Sequence, residues 1–287
     1  MKIKYSLYLR ESARVALLLA CLIAISLSAQ TPAEPTEEEA LAVDPRPKES
    51  DKTNFQLIKN YLAATGGESS HRAIQNVVAE GTIRESSLIR NFKLIETNDG
   101  KRHLTYDWKH LGRKHRVVYA CDGLEIWTQV LEPKELPPKL YGSPDGVHFT
   151  NVRWLLQPFT LPTKADYVFK YQGAAKVGSR PTYVVKEYGK KNIPIWYYFD
   201  KEKFLVARWG GKGQVAGVEE NMDYHATSFR SIDGVLFPSK IDLIVENASF
   251  GNIEFNSALA NQDLSEISFL IPKTTVPTLR QRPVTSN

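Results

Sequence analysis

Cysteine is nearly absent, with only Cys21 and Cys121 in 287 residues. That excludes a disulfide scaffold and any cysteine-rich zinc module. Long apolar runs are missing as well. The longest uncharged one, Val15–Leu27, has 13 residues, short of the ~20 a spanning helix needs. No Gly-x-Ser-x-Gly elbow occurs, so the common hydrolase nucleophile is absent. Gly210-Gly211-Lys212-Gly213 lacks the Ser/Thr ending of a phosphate loop and reads as a flexible turn after a hairpin. His110 and His115 stand five apart, which a single strand would place on opposite faces. Lys109, Arg113, Lys114 and Arg116 crowd them with positive charge, so no metal site is expected. The chain also has no basic cluster dense enough to argue for nucleic acid.

What is present points to a globular β protein. The chain is 42% hydrophobic and 24% charged, and its 13 Tyr, 12 Phe and 5 Trp favour strands. The net charge of +5 is uneven. Residues 30–52 hold seven acids and three bases, whereas residues 53–287 hold 30 bases and 24 acids, a balance of +6. A mildly basic body suits an anionic membrane surface.

The N-terminus reads as an address. Lys2, Lys4, Arg10 and Arg14 precede the apolar run, and Ser26, Ser28 and Ala29 supply small residues at its end. This is the order of a secretory signal peptide over residues 1–29. Export to the periplasm is the expectation. Leu18-Leu19-Ala20-Cys21 offers an alternative, a lipoprotein anchored at Cys21. After cleavage past Cys21, Cys121 is the lone thiol and reads as a small buried hydrophobe. Residues 30–52 are rich in Pro and Glu and read as a disordered acidic linker, with Glu37, Glu38 and Glu39 a solvated run. Residues 273–287 read as a flexible basic tail.

The folded body is expected over 53–272. A helix capped by Asp51 or Thr53 begins near Asn54, with Phe55, Ile58 and Leu62 on its apolar face, and ends at Gly66-Gly67. The period then changes to two. Val77 to Ile83, Phe92 to Leu94, and Leu104 to Trp108 alternate, with Asn98-Asp99-Gly100 turning between the last two. Arg116–Cys121 and Leu124–Val130 flank Asp122-Gly123, read as a two-residue hairpin turn. Six prolines then interrupt residues 132–163. Inside that stretch Val152–Leu156 reads as a short helix with an apolar face, a candidate lid. Strands resume to Asn256. We expect a mainly β fold with a few helices. About ten or eleven antiparallel strands would curl over as one meander.

Several phrases together resemble the LolA/LolB-like superfamily of bacterial periplasmic and outer-membrane lipoprotein-sorting proteins. They are YLAATGG, AEGTI, YACDGLEIW, YYFDKEKFLVARW, SFRSIDGVLFPSKIDL and NIEFNSALANQDLSEISFLIP, spread over residues 54–272. The resemblance implies a curved antiparallel half-barrel with a helical lid over an apolar cavity. It also implies binding of a lipid acyl chain or lipoprotein, and no cofactor. A lid in such carriers is held shut by an arginine. Arg84, Arg90 and Arg102, among the early strands here, read as solvated strand residues instead.

Candidate cavity residues are Phe92, Leu94, Leu104, Tyr106, Trp108, Tyr197, Phe199, Ile241 and Leu243, with Trp154, Leu155 and Leu156 as lid. No catalytic constellation is visible, since adjacent carboxylates such as Glu219-Glu220 diverge on a strand. The leading expectation is a monomeric, non-enzymatic carrier that shelters acyl chains during envelope lipoprotein sorting. The alternative is an envelope sensor of RseB-like type that contacts a partner protein through a sheet edge or basic rim.

Overall fold

The computed structural model describes residues 47–85, 88–140, 149, 152–160, 168–188, 194–215 and 218–272. The signal peptide, Cys21, most of the acidic linker and the C-terminal tail lie outside them. Two helices come first, α1 (Pro47–Ala64) and α2 (Glu68–Ala73). Six strands follow: β1 (Asn76–Glu85), β2 (Leu88–Thr97), β3 (Arg102–His110), β4 (Arg113–Cys121), β5 (Ile126–Glu132) and β6 (Lys139–Leu140). After a single 3-10 turn at Pro158–Thr160 come β7 (Val168–Val177), β8 (Arg180–Tyr188), β9 (Pro194–Asp200) and β10 (Val206–Val215). The last three are β11 (Val218–Ile232), β12 (Val235–Val245) and β13 (Ala248–Ala260).

All 13 strands form one antiparallel sheet in the order β6-β5-β4-β3-β2-β1-β13-β12-β11-β10-β9-β8-β7. Every neighbour is sequential except β1 with β13, which joins two meanders at the centre. The sheet does not close, because β6 and β7 are its edges. It does curl, as Arg153 shows. Its guanidinium donates to the Thr97 carbonyl on β2 at 3.1 Å, and its own carbonyl accepts from the Trp209 indole on β10 at 2.9 Å. Those strands are five places apart, ~24 Å across a flat sheet. One residue bridges both only because the sheet bends around it.

The strand count exceeds the expected ten or eleven. The least visible addition is the two-residue β6, inside the proline-rich stretch. Asn98-Asp99-Gly100 turns β2 into β3 as expected. Asp122-Gly123 belongs to a longer loop, because Asp122 Oδ1 accepts the N–H groups of Leu124 and Glu125, both at 2.8 Å. Gly210-Gly211-Lys212-Gly213 is not a turn but the middle of β10. A Cβ at Gly210 would lie 2.1 Å from the Met222 carbonyl oxygen, and one at Gly211 2.5 Å from that of Pro194. Glycine is there for close strand approach.

Helix α1 starts at Pro47 rather than near Asn54, with proline at a first-turn position where its missing N–H costs nothing. Its buried side is Leu57, Tyr61 and Leu62, with Ile58 partly covered. Phe55, expected on that face, is 69% exposed. The helix ends against the β11–β12 turn: Thr65 O accepts from Leu236 N at 2.9 Å. A Cβ at Gly66 would sit 2.2 Å from Gly234 O. Helix α1 also lies along β7, where Asn54 Nδ2 donates to Phe169 O at 2.8 Å and occupies part of the open edge.

The main core lies on the concave face and gathers side chains from the sheet, α1 and residues 152–159. A second, smaller core lies on the convex face over β4 and β5. There Val118, Ala120 and Trp127 are covered by Ile271, and the Trp127 indole donates to Phe269 O at 2.8 Å. Cys121 is buried, as a small hydrophobe would be, and its sulfur accepts the Gly123 N–H at 3.2 Å.

Candidate functional site

The candidate cavity residues fall on one face, and cross-strand register explains why. Phe92 faces Tyr106, Leu94 faces Leu104, and Tyr197 faces Trp209. Residues opposite one another in a sheet point to the same side. Phe92, Leu94, Leu104, Tyr197, Phe199, Ile241 and Leu243 are buried members of the main core, and Tyr106 is partly buried against it. Trp108 sits further out on the same strand, half-buried, with His115 stacked on it at 5.0 Å. His110 and His115 are on opposite arms of the β3–β4 hairpin, so their rings lie 6.4 Å apart on one side, not on opposite faces.

Residues 152–160 fill the hollow of the sheet and act as a plug. Trp154, Leu155, Leu156 and Phe159 are buried. Trp154 meets Phe92 edge-on at 5.5 Å, and Phe159 meets Tyr61 at 4.9 Å and Tyr197 at 5.3 Å. The expected helix over Val152–Leu156 is not formed; these residues make a bend followed by the Pro158–Thr160 turn. The reason lies in where the backbone N–H groups go. Those of Trp154, Leu155 and Leu156 donate to the Glu96 carboxylate at 3.1, 3.1 and 2.8 Å. Three successive amides turned toward one anion do not follow a helical i−4 ladder.

Glu96 is fully buried at the end of β2, and Arg102 opposes it on β3. The guanidinium Nε lies 3.1 Å from Glu96 Oε1. Its Nη1 donates to the carbonyls of Phe149 at 2.7 Å and Val152 at 2.9 Å. The same cation lies over the rings of Phe149 and Trp154 at 4.7 and 5.0 Å. Burial pulls the Arg102 pKa down, while the Glu96 charge opposes that shift. The plug is therefore held by a buried ion pair that binds its backbone from both signs: amides to Glu96, carbonyls to Arg102. Arg102 is thus not a solvated strand residue. Arg84 is exposed, and Arg90 is half-buried in an ion pair with Glu85 at 2.8 Å.

The pair was legible in principle. Phe92, Leu94 and Glu96 share one parity on β2, as Arg102, Leu104 and Tyr106 do on β3. Extending the apolar alternation one step through the Asn98-Asp99-Gly100 turn puts Glu96 opposite Arg102, facing inward. Glu187 follows the same logic after Val185 on β8. It is buried on the concave side, accepts the Tyr197 hydroxyl at 2.8 Å, and is pushed up to about 7 by desolvation, with Tyr197 and Arg153 opposing.

Among the described residues no group of three or more His, Cys, Asp or Glu converges to hold a metal, and no helix is long and apolar enough to cross a membrane.

No protein-family model and no curated protein matches the sequence. Solved structures resemble its fold. A DUF1329 family protein from Desulfovibrio piger is 13% identical, with a TM-score of 0.49 over 75% of this chain and 96% of that one. A LolA superfamily protein from Nitrosomonas europaea is 10% identical, with a TM-score of 0.48 over 74% and 94%. A putative outer membrane lipoprotein-sorting protein domain from Vibrio parahaemolyticus is 10% identical, with a TM-score of 0.46 over 74% and 93%.

Proposed function

We propose that the protein is an exported, non-catalytic binder of lipid acyl chains, free or on a lipoprotein, whose concave face is closed by the plug until a chain takes its place. One observation carries this reading: an apolar segment lies on an apolar sheet face, fastened through its backbone by the buried Glu96–Arg102 pair. The plug is attached by polar groups that water can replace, and its side chains occupy space a hydrocarbon chain fits.

The magnitudes favour exchange. Burying Trp154, Leu155, Leu156 and Phe159 contributes roughly 6–12 kcal/mol at the usual value per side chain. An acyl chain with about ten buried methylenes contributes roughly 8 kcal/mol before ordering costs. The two are close enough for one to replace the other. The half-buried aromatic end of the same face, Tyr106, Trp108 and Tyr119, gives a chain a first foothold outside the plug.

The test is a titration of the full chain with a fluorescent long-chain fatty acid, beside a Glu96→Gln variant, which leaves Arg102 uncompensated and weakens the acceptor of the plug amides. Apparent affinity scales with the population of the open form. Loosening the plug by ~1.4 kcal/mol should tighten binding about tenfold. Unchanged or weaker binding by a variant with native circular dichroism would refute the reading. Lipid mass spectrometry of the protein purified from envelopes identifies the ligand.

A further inference from the structure

The convex face offers a surface that the plugged hollow does not use. On β9 the outward positions alternate with the buried ones, and across the strands Lys170 faces Lys186, which faces Trp196. Lys186 lies over the rings of Trp196 at 4.6 Å and Tyr188 at 5.0 Å, and Lys170 over Tyr188 at 5.3 Å. Neither lysine has a carboxylate partner among the described residues. Beside them Val168 is 54% exposed, and Phe55 is exposed next to Asn54, the residue that fastens α1 to β7.

Cations, amphipathic rings and bare apolar side chains in one place match the chemistry of a bilayer interface. Lysine meets lipid phosphate there, Trp and Tyr settle at headgroup depth, and apolar side chains reach the acyl boundary. The chain enters the described fold through α1, which lies along β7 beside this patch.

We propose that the convex face of β7–β9, centred on Lys170, Lys186, Tyr188 and Trp196, is a docking surface for an anionic phospholipid bilayer. It holds the open edge of the sheet against the membrane while the concave face points away from it. The surface is independent of acyl-chain binding in the hollow, so either can fail alone.

Quenching of tryptophan fluorescence by brominated lipid tests this with the full chain. Vesicles are brominated phosphatidylcholine, with or without phosphatidylglycerol. The expected result is quenching that requires phosphatidylglycerol, weakens with salt, and disappears in Trp196→Phe but survives in Trp108→Phe. Lys170→Gln/Lys186→Gln should lower the apparent affinity for anionic vesicles about 30-fold. Matching far-UV circular dichroism shows that each variant is folded. Quenching that persists in Trp196→Phe, vanishes in Trp108→Phe, or is equal on purely zwitterionic vesicles overturns the proposal. So does an unchanged affinity in the double lysine variant, the result expected if the patch serves an acidic protein instead.

Discussion

At the scale of single residues, the buried charges decide most of the behaviour. Glu96 and Arg102 lie inside an apolar core, and removing one leaves the other uncompensated. Glu96→Gln should therefore cost about 3–5 kcal/mol in urea unfolding. The double change Glu96→Gln/Arg102→Met should recover much of that loss, since replacing both charges with groups of similar volume is often neutral. A double-mutant cycle that finds the two additive would remove the pair as a unit.

Two titrating groups act with opposite sign in overlapping ranges. Burial raises Glu187 to about 7 from its ordinary 4.5. The folded protein then holds a proton the unfolded chain has released, so stability falls as pH rises through this window, by on the order of 3 kcal/mol. Burial lowers His103 to about 4 from 6.5. Here the unfolded chain binds the extra proton, and stability falls as pH drops from 6.5 toward 4. Global unfolding nearly cancels the two, but they sit in different places. Glu187 lies on the plug side. His103 packs on Trp127 and Phe269 beneath the segment 262–272 that follows β13, with ring separations of 6.4 Å each. Hydrogen-exchange protection factors should fall with rising pH around the plug and with falling pH around residues 262–272. Glu187→Gln should flatten the first trend alone.

At the scale of elements, the plug behaves unlike a helix because its amides answer to a side chain. Phe159 is its deepest anchor, packed among Tyr61, Tyr197 and Phe199. Phe159→Ala should destabilise by about 3–5 kcal/mol in thermal or urea unfolding. A cost below ~1 kcal/mol would mean the site collapses and the plug is loosely held. Gly211→Ala should also destabilise, because its Cβ meets a neighbouring strand's backbone.

Period-two alternation made most strands legible, from Val77 on β1 to Ile241 on β12. The inward set could be named before its face was known, because parity survives curvature. Three things were harder to read. The β10 glycines look like a turn until the neighbouring strands are placed against them. Phe55 fits a helical stripe, yet the stripe faces Leu57 and Tyr61 because the sheet, not the helix, sets which side is covered. The plug's bend could not follow from local pattern, since its cause, Glu96, is 58 residues from Trp154 in sequence.

At the scale of the whole molecule, two meanders meet at β1–β13 and bend into a trough. The trough is filled by the chain's own apolar segment rather than left empty. The open edges are partly occupied by α1 at β7 and by residues 133–140 at β5, where Leu136 N donates to Val130 O at 2.9 Å. Edge protection of this kind limits strand-to-strand association. Sedimentation should find a monomer, and a dimer formed through β7 would contradict that reading.

In the proposed function an acyl chain and the plug compete for one space. Hydrogen exchange of the full chain with and without a saturating long-chain fatty acid measures this directly. The amides of Trp154, Leu155 and Leu156, released from Glu96, should lose their protection when the ligand binds, while the β2–β3 ladder beneath them keeps its own. Ligand bound with those three amides still protected, or no ligand bound at all, would contradict it.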